Sequence, residues 1–245
     1  MNGDAVKLWE PSDERRVAAN LTAFMATVND RYGADAHDYD DLYDWSVAHT
    51  EDFWEAIWDE LGVIGDKGAV RLADPTAMPG AKFFPEGRVN FAENLMRGVR
   101  SQPGNADAMV FWGEDKVKTR LSWSELQEQV AKLAAALKAD GVGPGDRVAA
   151  FMPNLPETII AMLAATSLGA VWSSCSPDFG TQGVMDRFGQ IEPKVLIAVE
   201  GYFYNGKPQD SLERVAQFSA DLPTVEKIIV LPLVSDAPDV SGVPN

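Results

Sequence analysis

Few side chains here have the type and spacing for bond-making chemistry. The only histidines are His37 and His49, twelve residues apart in an acidic stretch. A serine nucleophile would need one of them beside an exposed elbow, and no GxSxG occurs. The pair also lacks cysteine neighbours, so it makes a poor metal site; solvated or capping histidines are the expected role. The acidic run Asp38–Asp41 lacks the alternation and glycine of a calcium loop, and reads as the start of a helix. Gly141-Val-Gly-Pro-Gly145 is the nearest approach to a phosphate loop. It carries no Lys, Ser or Thr, its spacing matches neither GxxxxGK[ST] nor GxGxxG, and it reads as a surface turn. The single cysteine, Cys175, excludes an internal disulfide and ends an apolar run, so a structural thiol is expected.

The elements that would position any chemistry lie between Gly145 and Val199. Three short apolar runs, Val148–Met152, Ala170–Cys175 and Val195–Val199, have the length of strands buried on both faces. Pro156 opens a helical segment between the first two, and Gly169 closes it. Thr181–Gln190 forms the next, burying Val184, Phe188 and Ile191. This alternation predicts right-handed crossovers and a parallel sheet. Ligands bind such sheets beyond the carboxyl ends of the strands, which puts Pro153–Pro156 and Ser176–Gln182 on the functional edge.

Around this centre the chain reads in order. Lys7–Pro11 is an extended lead-in. Ser12 opens a helix whose stripe is Val17, Leu21, Phe24 and Val28, ended by Gly33. Thr50 caps a helix carrying Phe53, Trp54, Ile57, Trp58 and Leu61; its acidic neighbours suit a packed core better than a nucleic-acid stacking platform. Gly62–Gly87 reads as loop. Helical spacing resumes over Val89–Val99, and Ser101–Asn105 breaks it. Ala108–Trp112 and Lys116–Leu121 read as a hairpin. Ser122 and Glu125 form a capping box for the helix through Leu126, Val130, Leu133 and Leu137. After the core, Ser211–Leu222 reads as an amphipathic helix and Lys227–Leu231 as a strand. Pro232–Asn245 reads as a linker or truncated tail.

With 21 Lys and Arg against 37 Asp and Glu, the net charge is −16. Such a surface disfavours nucleic acid and anionic membranes as partners. No apolar run approaches a membrane span and no signal peptide is evident. One cysteine suits a reducing, cytoplasmic setting.

Two stretches resemble a known family. LSWSELQEQVAKLAAALKADGVGPGDRVAAFMPN resembles the first shared block of the adenylate-forming acyl-CoA synthetases. SLGAVWSSCSPDFG with VEGYFYNGK is similar, within them, to the branch that activates acetoacetate. The likeness spans about Asp38 to Leu231. It implies an α/β fold: a partly parallel sheet with flanking helices, the first subdomain of an adenylate-forming enzyme, preceded by a helical, loop-rich leader. The expected divisions are an amphipathic helix at 1–37, the leader at 38–103, the α/β part of the adenylation domain at 104–231, and the tail at 232–245. The resemblance implies a ligase that joins acetoacetate to ATP as an acyl-adenylate and then passes the acyl group to CoA, using Mg²⁺. Its phosphate loop, ribose-binding acid and mobile-domain lysine have no counterpart here, so this chain alone is expected to be an inactive first part. It also implies a CoA-nucleotide site at the loop after the second core strand, with Pro177, Asp178 and Phe179, and at a basic residue, Lys207. The relatives carry glycines where Pro177 and Asp178 stand. The same positions read without the family are a tight turn and an exposed lysine. Alternatives are a synthetase for acetate or propionate, and a non-catalytic interaction module suggested by the acidic surface and the leading helix.

Overall fold

The computed structural model describes residues 8–244, less the side chain of Val99; Lys7 and Asn245 lie outside the described residues. These residues form two compact units, 8–89 and 90–244.

In the first unit, Ser12 caps α1 (Asp13–Val17), its hydroxyl accepting from the Arg15 amide. The single helix expected from Ser12 to Gly33 is broken. Ala19 is extended, and α2 (Asn20–Tyr32) starts anew before Gly33 turns left-handed. The Thr22 hydroxyl donates to the Arg16 carbonyl, a local side-chain bond competing with helix continuation. Consequently Val17 and Leu21 are exposed, while Phe24 and Val28 enter the core. Asp38 caps α3 (Tyr39–Ala48). Thr50 does not cap α4 (Thr50–Glu60); its hydroxyl donates to the Val47 carbonyl, and no side chain caps that helix. The helices bury Phe24, Val28, Leu42, Trp45 and Ala56, with Phe53 edge-on to Phe24 and Trp45. Leu61 and Trp54 are exposed. The expected loop from Gly62 contains two small ladders: β1 (Gly65–Asp66) pairs with β4 (Arg88–Val89), and β2 (Leu72–Ala73) with β3 (Lys82–Phe83). A charge ladder supports them. Arg71 bonds Glu51, Asp52 and Glu55, and Lys67 reaches Glu55 and Asp59.

The second unit begins with two short helices, α5 (Phe91–Leu95) and α6 (Gly98–Ser101), where one was expected. A hairpin follows, β5 (Asp107–Gly113) with β6 (Val117–Ser122). The capping box forms as expected: Ser122 accepts from the Glu125 amide, Glu125 accepts from the Ser122 amide, and α7 (Trp123–Ala139) runs from it. Then β7 (Arg147–Phe151), α8 (Pro156–Ser167), β8 (Val171–Cys175), α9 (Thr181–Ile191) and β9 (Val195–Val199) alternate. A second hairpin, β10 (Gly201–Tyr204) with β11 (Lys207–Asp210), precedes α10 (Leu212–Ser219) and β12 (Lys227–Leu231).

β12, β9, β7 and β8 form one parallel sheet in that spatial order. Side chains alternate across it, as the pleat requires. Val148, Ala150, Val195 and Ile197 pack against α7 and α8. Ala149, Phe151, Leu196 and Ala198 pack against α9 and α10. β9 is buried throughout and β7 nearly so, which explains their unbroken apolar runs. The run Ala170–Cys175 departs from the expectation of burial on both faces. Among the described residues β8 is an edge strand, and Val171 is 51% exposed. Arg147 ties the sheet's start to the end of α9, donating to the carbonyls of Ile191 (2.6 Å) and Glu192 (2.7 Å).

Candidate functional site

The carboxyl ends of the four parallel strands open onto one edge, built from the loop after β7, Ser176–Gly180 after β8, Glu200 and the second hairpin after β9, and Pro232–Ser235 after β12.

The Ser176–Gly180 loop holds three of the expected site residues. Pro177 is buried, whereas Asp178 and Phe179 are exposed. Both carboxylate oxygens of Asp178 are engaged: the Tyr202 hydroxyl donates to Oδ1 at 2.9 Å and the Ser176 hydroxyl to Oδ2 at 3.0 Å. Arg214 on α10 donates to the Pro177 carbonyl at 2.6 Å and to the Asp210 carbonyl at 3.1 Å. The Arg187 guanidinium on α9 sits 4.3 Å from the centroid of the Phe179 ring and also donates to the Gly183 carbonyl. Such a stack over a half-exposed ring contributes about 0.5–1 kcal/mol.

The fourth expected residue, Lys207, is exposed and opens β11. It pairs with Tyr204 across the hairpin, as Gln209 pairs with Tyr202. Residues directly opposite, and those two along, share a face, so Lys207 projects from the same face as Tyr202, at a diagonal separation of roughly 7–8 Å. The hairpin therefore brings Lys207 into the neighbourhood of the group that holds Asp178.

Two further carboxylates shape this edge. Glu200, 5% exposed, takes four backbone amides: Gly201 (2.9 Å) and Leu233 (2.7 Å) on Oε2, Val234 (2.5 Å) and Ser235 (2.6 Å) on Oε1. Glu114, at the tip of the first hairpin, accepts from the amides of Asn205 (2.9 Å) and Gly206 (2.7 Å) at the tip of the second. Between the hairpins lies an apolar recess of about 180 Å³, lined by Phe111, Trp112, Leu155, Phe203 and Leu233.

Burial pushes the Tyr202 hydroxyl up from its ordinary pKa, against an opposing bond from Arg214; Asp178 adds to the rise. The hydroxyl is therefore a donor to Asp178 across the physiological range. Burial likewise raises the Cys175 thiol, partly offset by Arg187, so it is a packed, protonated group. His37 lies beside Asp35 and is largely exposed; His49 stacks on Trp45. Among the described residues no group of three or more His, Cys, Asp and Glu could hold a metal ion. Among them, too, no helix is long and apolar enough to cross a membrane.

Tyr202, Arg187, Arg214 and Glu200 were not singled out from sequence. A signal for the second hairpin was present: Asn205-Gly206 between two runs is a strong two-residue turn, and both residues have positive φ (50° and 72°). Nothing in sequence pairs Tyr202 with Asp178, twenty-four residues away.

The comparisons agree with this architecture. The profile of a family described as AMP-binding enzyme matches residues 95–242, and that of the acetyl-coenzyme A synthetase N-terminus matches 39–95. The acetoacetyl-coenzyme A synthetase of Rhizobium meliloti (strain 1021) is 49% identical over 241 residues, 96% of this chain and 36% of the relative. That of Macaca fascicularis is 38% identical over 245 residues, 97% of this chain and 35% of the relative. A solved acetoacetyl-CoA synthetase from Streptomyces lividans superimposes with a TM-score of 0.90 at 40% identity, covering 96% of this chain and 36% of that one. This chain thus spans about a third of the length of these relatives. With one family profile running over more than half its residues, on the sheet and helices just described, the chain belongs to the AMP-binding enzymes.

Proposed function

We propose that the whole protein is an acetoacetate–CoA ligase and that this chain is its first α/β part. The reading is carried by the likeness to acetoacetyl-CoA synthetases, 49% identical over nearly all of this chain in one relative. In this reaction the acetoacetate carboxylate attacks the α-phosphorus of ATP and pyrophosphate leaves. The CoA thiol then attacks the acyl carbon, giving acetoacetyl-CoA and AMP. ATP supplies the adenylyl group that activates the carboxylate, and Mg²⁺ would shield its phosphates. None of the described side chains is assigned to either.

This chain's part is toward CoA. Pro177, Asp178, Phe179 and Lys207 form the proposed nucleotide site at the sheet edge. The Phe179 ring offers a stacking face for adenine, and Lys207 a cation for the CoA phosphates. Support comes from the shared position of loop and hairpin at the carboxyl ends of the strands, where ligands of such sheets bind. The buried, protonated Cys175 suits a reducing compartment, and we place the protein in the cytoplasm.

The test is acid-dependent ATP–pyrophosphate exchange on the whole protein. Acetoacetate should support exchange about tenfold better than acetate or propionate, because they lack the β-carbonyl. The 245-residue chain alone should support none. Equal exchange with acetate would replace acetoacetate as the substrate, and exchange by this chain alone would overturn its role as a part.

A further inference from the structure

The Ser176–Gly180 loop is exposed at Asp178 and Phe179, yet elements distant in sequence fasten it. Tyr202 comes from β10, Arg214 from α10 and Arg187 from α9. The first two are themselves anchored. The Tyr202 side chain is largely enclosed, at 9% residue exposure, and the guanidinium of Arg214 also bonds the Asp210 carbonyl and lies 5.8 Å from the Phe151 ring centroid. Their positions are thus fixed by the folded body, and the loop is hung from them.

This arrangement bears on what Asp178 does. Both its oxygens already accept hydroxyl donors. A carboxylate so engaged has little left to offer a ligand, and its charge would repel the phosphates of a nucleotide. The Pro177 carbonyl is likewise taken up by Arg214. What the loop leaves open is the Phe179 ring, with the Arg187 cation over it.

Resting on the CoA reading of this loop, we propose that Tyr202 and Arg214 are positioning residues. Tyr202 through Asp178, and Arg214 through the Pro177 carbonyl, hold the loop so that Phe179 is presented to the adenine of CoA. Asp178 then belongs to the clamp and makes no contact with the nucleotide. The cost of losing the clamp falls on CoA binding, because the loop must be ordered again each time the nucleotide is bound.

The experiment is steady-state kinetics on the whole protein, with ATP–pyrophosphate exchange beside it, since exchange takes no CoA. Tyr202→Phe removes one hydroxyl and keeps the ring. It should raise KM for CoA about tenfold, the worth of one hydrogen bond to a charged acceptor. Exchange and kcat should stay within about twofold. Asp178→Ala, which removes the acceptor, should produce at least the same rise, and the double variant should add little to Asp178→Ala alone, because both changes break one bond. Arg214→Met should also raise KM for CoA, with partial recovery in Arg214→Lys. Phe179→Ala tests the underlying reading separately. If it raises KM for CoA while Tyr202→Phe does not, the clamp is overturned and the CoA loop stands. If neither changes KM for CoA, the loop is not a CoA site and the clamp falls with it. If Tyr202→Phe depresses exchange as much as the CoA step, its role is general stability, which also overturns the proposal. Additive effects of Tyr202→Phe and Asp178→Ala would refute their coupling.

Discussion

Replacing Glu200 with Gln keeps the shape of a buried side chain but turns one of its two acceptor atoms into a donor. In the native structure Oε1 takes the amides of Val234 and Ser235, and Oε2 those of Gly201 and Leu233. The glutamine oxygen can serve one of these pairs. The other pair then faces an NH₂ group, and two amide donors lose their acceptor. Each stranded amide costs about 1–3 kcal/mol. Residues 233–235 are only partly shielded, so the lower half of that range applies, giving a loss of about 2–4 kcal/mol for the two amides. That is a large part of the ~5–15 kcal/mol typical of a domain. With a urea slope of about 1–3 kcal/mol/M, the unfolding midpoint of the unit holding the sheet should fall by roughly 1–2 M. Amide hydrogen exchange supplies the local readout: Val234 and Ser235 should lose protection even where the sheet stays folded, while Ile197 in β9 follows only global unfolding. A midpoint change worth less than about 0.5 kcal/mol, with Val234 and Ser235 still protected, would refute the claim that this carboxylate holds the chain after β12.

Other perturbations have defined outcomes. Bonding from Lys67, assisted by Arg31 and opposed by burial, holds Asp59 below its ordinary carboxylate value of 3.8. A depressed folded-state pKa adds stability above the unfolded value and loses it as pH falls through the folded one, so Asp59→Asn should flatten the acid limb of the first unit's stability below about pH 4. Burial and the raised pKa of Cys175 predict no labelling by iodoacetamide at pH 8 in the native chain and full labelling in urea, read by mass spectrometry. Arg147→Ala frees the last carbonyls of α9 and should cost about 1.5–3 kcal/mol in urea unfolding. Ser122→Ala removes half of a capping box and should cost about 1 kcal/mol by the same assay.

The sequence carried the parallel sheet because its signals are local and periodic. A strand buried on both faces must be apolar without interruption, and β7 and β9 are. Pro156 and Gly169 mark the ends of α8 for reasons of backbone geometry alone: a missing N–H at the start and a φ of 74° past the end. The capping box of α7 is equally local. These features determine where elements start and stop, and their order determines the handedness of the crossovers. The loops at the carboxyl edge, and therefore where a ligand would sit, follow from that order.

Tertiary packing decided the rest. Which residues of the Val17, Leu21, Phe24 and Val28 stripe enter the core is set by the contacts of the folded unit, which bury Phe24 and Val28 and leave Val17 and Leu21 exposed. Val171 is as apolar as Val195, yet it stands half exposed, because burial belongs to a strand's place in the sheet and not to its composition. Above all, the bond between Tyr202 and Asp178, the stack of Arg187 on Phe179 and the four amides gathered by Glu200 join positions that no period connects. Hydrogen bonds of this kind depend on distances of about 3 Å between separate elements, and only the folded chain sets those distances.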